Sequence, residues 1–138
     1  MSSPPSRDRR LRVVIADDHP SIRENLRYLL NAEPDMDVVG VARDGASAMQ
    51  MSQELRPDVL VVDFDLPDRD GLSVARALRQ EGFSARLVLY TLDSEVWAQA
   101  KEAGVDACVS KDASPATLFE SIRGFRRPAS MQGSRAGD

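Results

Sequence analysis

The sequence predicts an α/β fold, a parallel sheet covered by helices on both faces, and three observations carry that prediction. Apolar runs of strand length alternate five times with stretches of helical period along the 138 residues. Two of the runs, Val13-Val14-Ile15-Ala16 and Val59-Leu60-Val61-Val62, are apolar at every position, as strands buried on both faces are. Each of these two runs ends on acid, the pair Asp17-Asp18 after the first and Asp63 after the second.

In order, strands are expected at 11–16, 37–42, 59–63, 87–91 and 105–110. The first helix carries the stripe Ile22, Leu26, Leu29 and Leu30, and Pro20 suits its first turn, where a missing N–H costs nothing. One of Asp17 and Asp18 is expected to cap this helix and complement its dipole. Residues 46–55 form the second helix, Leu72, Ala75 and Leu78 mark the third, and 94–103 form the fourth, stopped by Gly104. Ser114-Pro115 opens the fifth, which runs through Leu118, Phe119 and Ile122 to about Arg126. Right-handed crossovers then place every strand-to-helix loop on one edge of the sheet. Asp17, Asp18, Asp63, Thr91 and Lys111 therefore share one rim, the edge where open α/β sheets bind their ligands.

Composition narrows the class without naming it. With 42% hydrophobic and 29% charged residues the chain is an ordinary globular domain. Its 22 acidic against 18 basic residues argue against a nucleic-acid-binding face. A single cysteine, Cys108, excludes an intrachain disulfide and suits a reducing cytosol. No apolar stretch is long enough to span a bilayer, and the first ten residues lack the apolar core of a signal peptide, so the expected location is cytoplasmic. One domain is expected at 11–127, between small, polar, disordered tails at 1–10 and 128–138.

Three carboxylates at adjacent strand ends repel one another, and a hard divalent cation relieves that repulsion. The pattern outlines a magnesium site, and magnesium beside a strand-end carboxylate is what phosphoryl transfer requires. Singly, each residue has an ordinary reading. Asp63 alone is a cap or turn residue, Thr91 alone is structural, and a lone lysine is usually a solvated one. The position of Lys111 after the fifth strand, beside clustered acids, reverses that default. His19 is read as a neutral turn residue beside the acids, with no role in proton transfer.

Asp17-Asp18-His19-Pro20, Pro57-Asp58 leading to Asp63-Phe64-Asp65-Leu66-Pro67, Asp70-Gly71, Thr91, and Ser110-Lys111-Asp112-Ala113-Ser114 occur in this order at the strand ends. Together they resemble the receiver domain of bacterial two-component response regulators, NarL/FixJ (LuxR-type) branch, over about residues 11–126. The resemblance implies a flavodoxin-like (βα)5 three-layer sandwich with strand order 2-1-3-4-5. It implies that Asp63 accepts a phosphoryl group from the phosphohistidine of a sensor histidine kinase. It implies that Asp17, Asp18, Asp63 and the backbone carbonyl of Asp65 hold Mg2+, with Mn2+ as the substitute ion. Lys111 would pair with Asp63 and then with a phosphoryl oxygen, and Thr91 would bond another phosphoryl oxygen and start the switch. The implied output surface is the fourth helix, fifth strand and fifth helix. A homodimer is implied there or through the first and fifth helices, with no nucleic acid bound by this chain itself. The segment after Arg127 is expected to be either a linker to a DNA-binding domain or the end of a stand-alone receiver.

The chain departs from the family pattern at three places. Leu92 stands where Ala or Gly usually leaves room for the phosphoryl group, so access is expected to be reduced. Cys108 stands where the family has Tyr or Phe, which leaves Tyr90 or Trp97 as substitutes for the switching ring. Asp65 and Asp93 occupy positions that in the family tune the lifetime of the phosphoryl group. Two alternatives remain: a receiver that signals without phosphate, suggested by Cys108 and Leu92, and a haloacid-dehalogenase-type phosphatase using Asp63-Phe64-Asp65. The alternative phosphatases carry that motif on their first strand, whereas here it lies on the third.

Overall fold

The computed structural model describes residues 10–124. The expected tails fall outside them except for Arg10, as do the last two residues predicted for the fifth helix.

Five strands form one parallel sheet: β1 Leu11–Ala16, β2 Met36–Ala42, β3 Val59–Asp63, β4 Arg86–Thr91 and β5 Ala107–Ser110. The helices between them are α1 Pro20–Asn31, α2 Gly45–Leu55, α3 Gly71–Gln80, α4 Trp97–Ala100 and α5 Pro115–Arg123. The spatial order β2-β1-β3-β4-β5 is the one expected. After β2 the chain crosses back over β1 to β3, so the direction of winding reverses between β1 and β3, the place where such sheets open a crevice.

Strand alternation feeds two separate cores. Leu11, Val13, Ile15, Val59, Val61 and Val88 point to the face covered by α1 and α5, where they meet Leu26, Leu30, Leu118 and Ile122. Val14, Ala16, Leu60, Val62, Leu87 and Leu89 point to the opposite face, against α2, α3 and Val96. Every residue of β3 is buried, which is why its sequence shows no polar alternation.

Three expectations change. The predicted helix at 94–103 is a 3-10 turn, Ser94–Val96, followed by the four-residue α4 and further turns. Ala103 N–H reaches both Gln99 O and Ala100 O, and Gly104 N–H reaches Lys101 O, so the end of the segment tightens instead of continuing as α-helix. β5 starts at Ala107 rather than 105, because Val105 N–H bonds Ala100 O and closes the preceding turn around Gly104, whose φ is +95°. Finally, neither Asp17 nor Asp18 caps α1. The cap position is His19, whose side chain makes no capping bond, and Pro20 begins the helix.

Candidate functional site

The carboxyl edge of the sheet gathers the predicted residues where β1 and β3 lie side by side. Asp17 is held from several directions: its N–H bonds Ala42 O, its carbonyl accepts from Arg23, and its Oδ1 accepts the His19 N–H at 2.9 Å. Asp63 ends β3 and pairs in register with Tyr90 of β4. Gly71 sits directly on the Asp63 backbone, since a Cβ there would lie 2.4 Å from Asp63 O, and its N–H bonds Phe64 O at 2.8 Å. The start of α3 thus fixes the strand end that carries Asp63, and Asp70 caps that helix by accepting from Ser73 N–H. Asp68, in the same loop, accepts the N–H groups of Gly45 and Ala46 and ties the loop to the start of α2.

Lys111 bridges the two buried acids. Its ammonium lies 2.8 Å from Asp17 Oδ2 and 3.0 Å from Asp63 Oδ2, with the lysine side chain 10% exposed and the two aspartates 1% and 2%. Its N–H bonds Thr91 O, which anchors the loop after β5 to the end of β4. Burial pushes the Asp63 carboxyl above the ordinary aspartate range, and the nearby charge of Asp17 adds to this against the Lys111 bond. Burial pulls the Lys111 ammonium downward, but its bonds to Asp17 and Asp63 prevail and hold it above the ordinary lysine value.

Ligand atoms of Asp17, Asp18, His19 and Asp63 all lie within 4.8 Å of one another. Apart from the Lys111 ammonium, Asp17 Oδ2 and Asp63 Oδ2 have no hydrogen-bond donor among the described residues, although both atoms are buried. Buried carboxylate oxygens of this kind, three carboxylates against one ammonium, are a donor set suited to a hard divalent cation. Asp65 joins the cluster through its N–H, 3.3 Å from Asp63 Oδ1, while its side chain is exposed.

Thr91 is buried at the end of β4, and its hydroxyl accepts the Asp93 N–H at 3.1 Å. Asp93 in turn caps the Ser94 turn by accepting Glu95 N–H. Leu92 leaves 65% of its surface in solvent. Cys108 is half-buried beside Trp97 on the α2/α3 face, and burial raises its thiol pKa. Trp97 packs against the core on that face, whereas Tyr90 lies on the other face with its ring centroid 5.8 Å from Lys111 Nζ.

Two contributions escaped the sequence reading. Gly71 was part of the motif but without a role, and its close approach to Asp63 is visible only in three dimensions. His19, read as a turn residue with no role in proton transfer, has its Nδ1 3.0 Å from Asp17 Oδ1 and 3.1 Å from Asp18 Oδ1. The His-Pro pair carried a usable signal, because a residue before proline is held extended, and His19 has φ −93° and ψ 113°.

Residues 13–123 match the family model described as the response regulator receiver domain. Over 114 residues the chain is 39% identical to the nitrate/nitrite response regulator protein NarP of Escherichia coli, a match covering 80% of this chain and 53% of that protein. Its identity to NarL of the same species is 30% over 112 residues, covering 80% and 52%. The chain spans about half the length of these curated relatives. Among solved structures, a LuxR-family two-component response regulator from Aurantimonas aligns with a TM-score of 0.80 at 34% identity, covering 84% of each chain. The signal receiver domain of NarL from Mycobacterium tuberculosis aligns with a TM-score of 0.75 at 31% identity, covering 84% of this chain and 93% of that one.

Proposed function

Because this chain belongs to the response regulator receiver domain family, with NarP- and NarL-type regulators among its relatives, we propose that it takes a phosphoryl group on Asp63 from a sensor histidine kinase. The observation that carries the proposal is the buried Asp63 carboxylate at a strand end, 3.0 Å from the Lys111 ammonium and clustered with Asp17 and Asp18.

In this reading an Asp63 carboxylate oxygen forms the new bond to phosphorus as the phosphorus–nitrogen bond to the kinase imidazole breaks, and the electron pair leaves with that nitrogen. Lys111, a compact point charge on a flexible stem, shifts from Asp63 to a phosphoryl oxygen while keeping Asp17. The Thr91 hydroxyl donates to another phosphoryl oxygen, and its lone pair still holds the Asp93 N–H, so the loop after β4 follows the phosphate. Asp17, Asp18, Asp63 and the Asp65 carbonyl would hold Mg2+ or Mn2+. When bound, such an ion supplies positive charge against the phosphoryl oxygens. The domain acts as a phosphoacceptor switch rather than a turnover enzyme.

The output surface is then α4, β5 and α5, with a homodimer there or through α1 and α5. Transcription in the cytoplasm is the controlled process, by way of a DNA-binding domain, this domain itself touching no nucleic acid. Tyr90, beside Lys111, is the ring that substitutes for the aromatic residue replaced by Cys108. The phosphate-independent alternative rests on Cys108 and Leu92, and the retention of Asp17, Asp18, Asp63, Thr91 and Lys111 argues against it. The dehalogenase-type phosphatase is set aside, since Asp63 lies on the third strand and the chain belongs to another family.

The test is intact-protein mass after incubation with acetyl phosphate, with and without Mg2+, for the native chain and for Asp63→Asn. One phosphoryl adduct, dependent on Mg2+ and missing in the variant, is the expected result. Absence of any adduct while Mg2+ binding is intact would overturn the proposal.

A further inference from the structure

We infer that the cation site contains a nitrogen donor, Nδ1 of His19, and therefore binds Mn2+ and Co2+ more tightly than Mg2+. The inference rests on the reading that Asp17, Asp18 and Asp63 hold a divalent cation, and adds a ligand and a selectivity to it.

Three observations converge on this nitrogen. First, it lies 3.0 Å from Asp17 Oδ1 and 3.1 Å from Asp18 Oδ1. An ion bonded to two donors at about 2.1 Å each and at a right angle places those donors about 3.0 Å apart, the edge of an octahedron. Nδ1 already stands at that spacing from each of the two carboxylate oxygens. Second, the position is fixed by the backbone. His19 is held extended ahead of Pro20, and its own N–H donates to the same Asp17 oxygen at 2.9 Å. Third, an ordinary hydrogen-bonded histidine accounts for one of these contacts and leaves the other unexplained. One Nδ1 proton serves the Asp17 oxygen, whereas Asp18 Oδ1 is a buried atom with no hydrogen-bond partner among the described residues. An ion shared by both oxygens and the ring nitrogen satisfies all three.

The chemistry follows from the donor. With the ring proton carried on Nε2, the Nδ1 lone pair is free to coordinate. Mg2+ takes oxygen ligands and dehydrates reluctantly, so it gains little from imidazole. Imidazole suits the first-row transition ions, and affinity for a mixed nitrogen and oxygen set rises from Mn2+ to Co2+. His19 thus separates these ions from Mg2+ at a site whose carboxylates alone would hold either class. In an Mg2+-rich compartment the ion present still follows availability.

The experiment is calorimetric titration of the native chain and of His19→Gln with Mg2+ and with Co2+, together with electron spin-echo spectroscopy of the Mn2+ complexes. Native protein is expected to bind Co2+ more tightly than Mg2+. His19→Gln is expected to lose at least about tenfold in Co2+ affinity, the smaller figure for losing even an outer partner of a ligand. Its Mg2+ affinity should stay within about twofold, because that ion draws on the carboxylates. A nitrogen modulation of the Mn2+ echo in the native chain, lost in the variant, identifies the donor. Equal Co2+ affinity in the two proteins, or bound Mn2+ without nitrogen modulation, overturns the role of His19 and leaves the carboxylate site standing. Failure of every ion to bind overturns the site as well.

Discussion

Replacing Lys111 with methionine perturbs the charge balance of the acidic cluster while keeping most of the side-chain volume. Among the described residues the ammonium is the sole cation on two carboxylate oxygens, 2.8 and 3.0 Å away, in side chains 1% and 2% exposed. Removing one partner of a buried pair costs about 3–5 kcal/mol, because a buried charge is left uncompensated. Asp63 has a partial escape. Burial already raises its pKa, and losing Lys111 leaves only the Asp65 N–H to hold it down, so the carboxyl protonates at a higher pH in the variant than in the native chain. The expected loss at pH 7 is therefore near the lower figure, about 3 kcal/mol. For a domain of this size that is a Tm lower by roughly 10 °C. A group whose folded pKa is raised contributes stability fully below its unfolded value, near 3.9, and loses it as pH rises through the folded value. The deficit should thus be small near pH 4 and grow toward neutrality. Thermal and urea denaturation of both proteins from pH 4 to 8 in a chelator measures it, and adding Mg2+ should recover the variant more than the native chain. An unchanged or higher Tm at pH 7, or a deficit largest in acid, would refute the reasoning.

Asp63→Asn should raise Tm at pH 7, because burial raises the acid's folded pKa and the amide has no charge to desolvate; the gain should vanish in acid below about pH 4, as scanning calorimetry would show. Gly71→Ala drives a Cβ to 2.4 Å from Asp63 O, so about 1–3 kcal/mol of stability should be lost. Phosphoryl uptake should also slow by up to about 100-fold. An unaltered uptake rate in that variant, measured by mass, would show that Gly71 does not position the acceptor. Asp68→Ala should lower Tm at neutral pH, since bonds from the Gly45 and Ala46 N–H groups lower the folded pKa of Asp68. Stability of that origin is present above the unfolded pKa and lost as pH falls through the folded one, so the two melting curves should converge in acid. Curves that stay equally far apart at low pH would exclude the carboxylate as the cause.

β3 and residues 13–16 of β1 are legible to the residue, because a strand buried on both faces writes an unbroken apolar run and its end is marked by an acid. The same logic placed Asp17, Asp18, Asp63 and Lys111 on one edge, where the structure brings them together. The fourth helix is shorter than its sequence pattern suggests, for a physical reason. Its periodic positions, Ala100 and Ala103, are good helix formers but bury little surface, so turns around Gly104 decide the local geometry. Capping of α1 by an acid failed because His19-Pro20 moves the helix start one residue further along than the acids can reach. The contact between Gly71 and the Asp63 backbone spans eight positions of chain and leaves no trace in local pattern.

The slightness of α4 has its own consequence. Between β4 and β5 the chain makes only a 3-10 turn and four residues of α-helix, and Val96, Ala100 and Ala103 are its buried anchors. Local opening of such a segment requires far less free energy than unfolding the sheet beneath it. Carrying a two-state element from 1:99 to 99:1 needs about 5.5 kcal/mol of differential interaction. A rigid, fully packed helix would demand that its own core be broken in addition. If Asp63 takes a phosphoryl group as proposed, a covalent change a few ångströms wide beside Thr91 would need to rearrange only this lightly anchored segment, and amide exchange on phosphorylation should then change there first and in the sheet least.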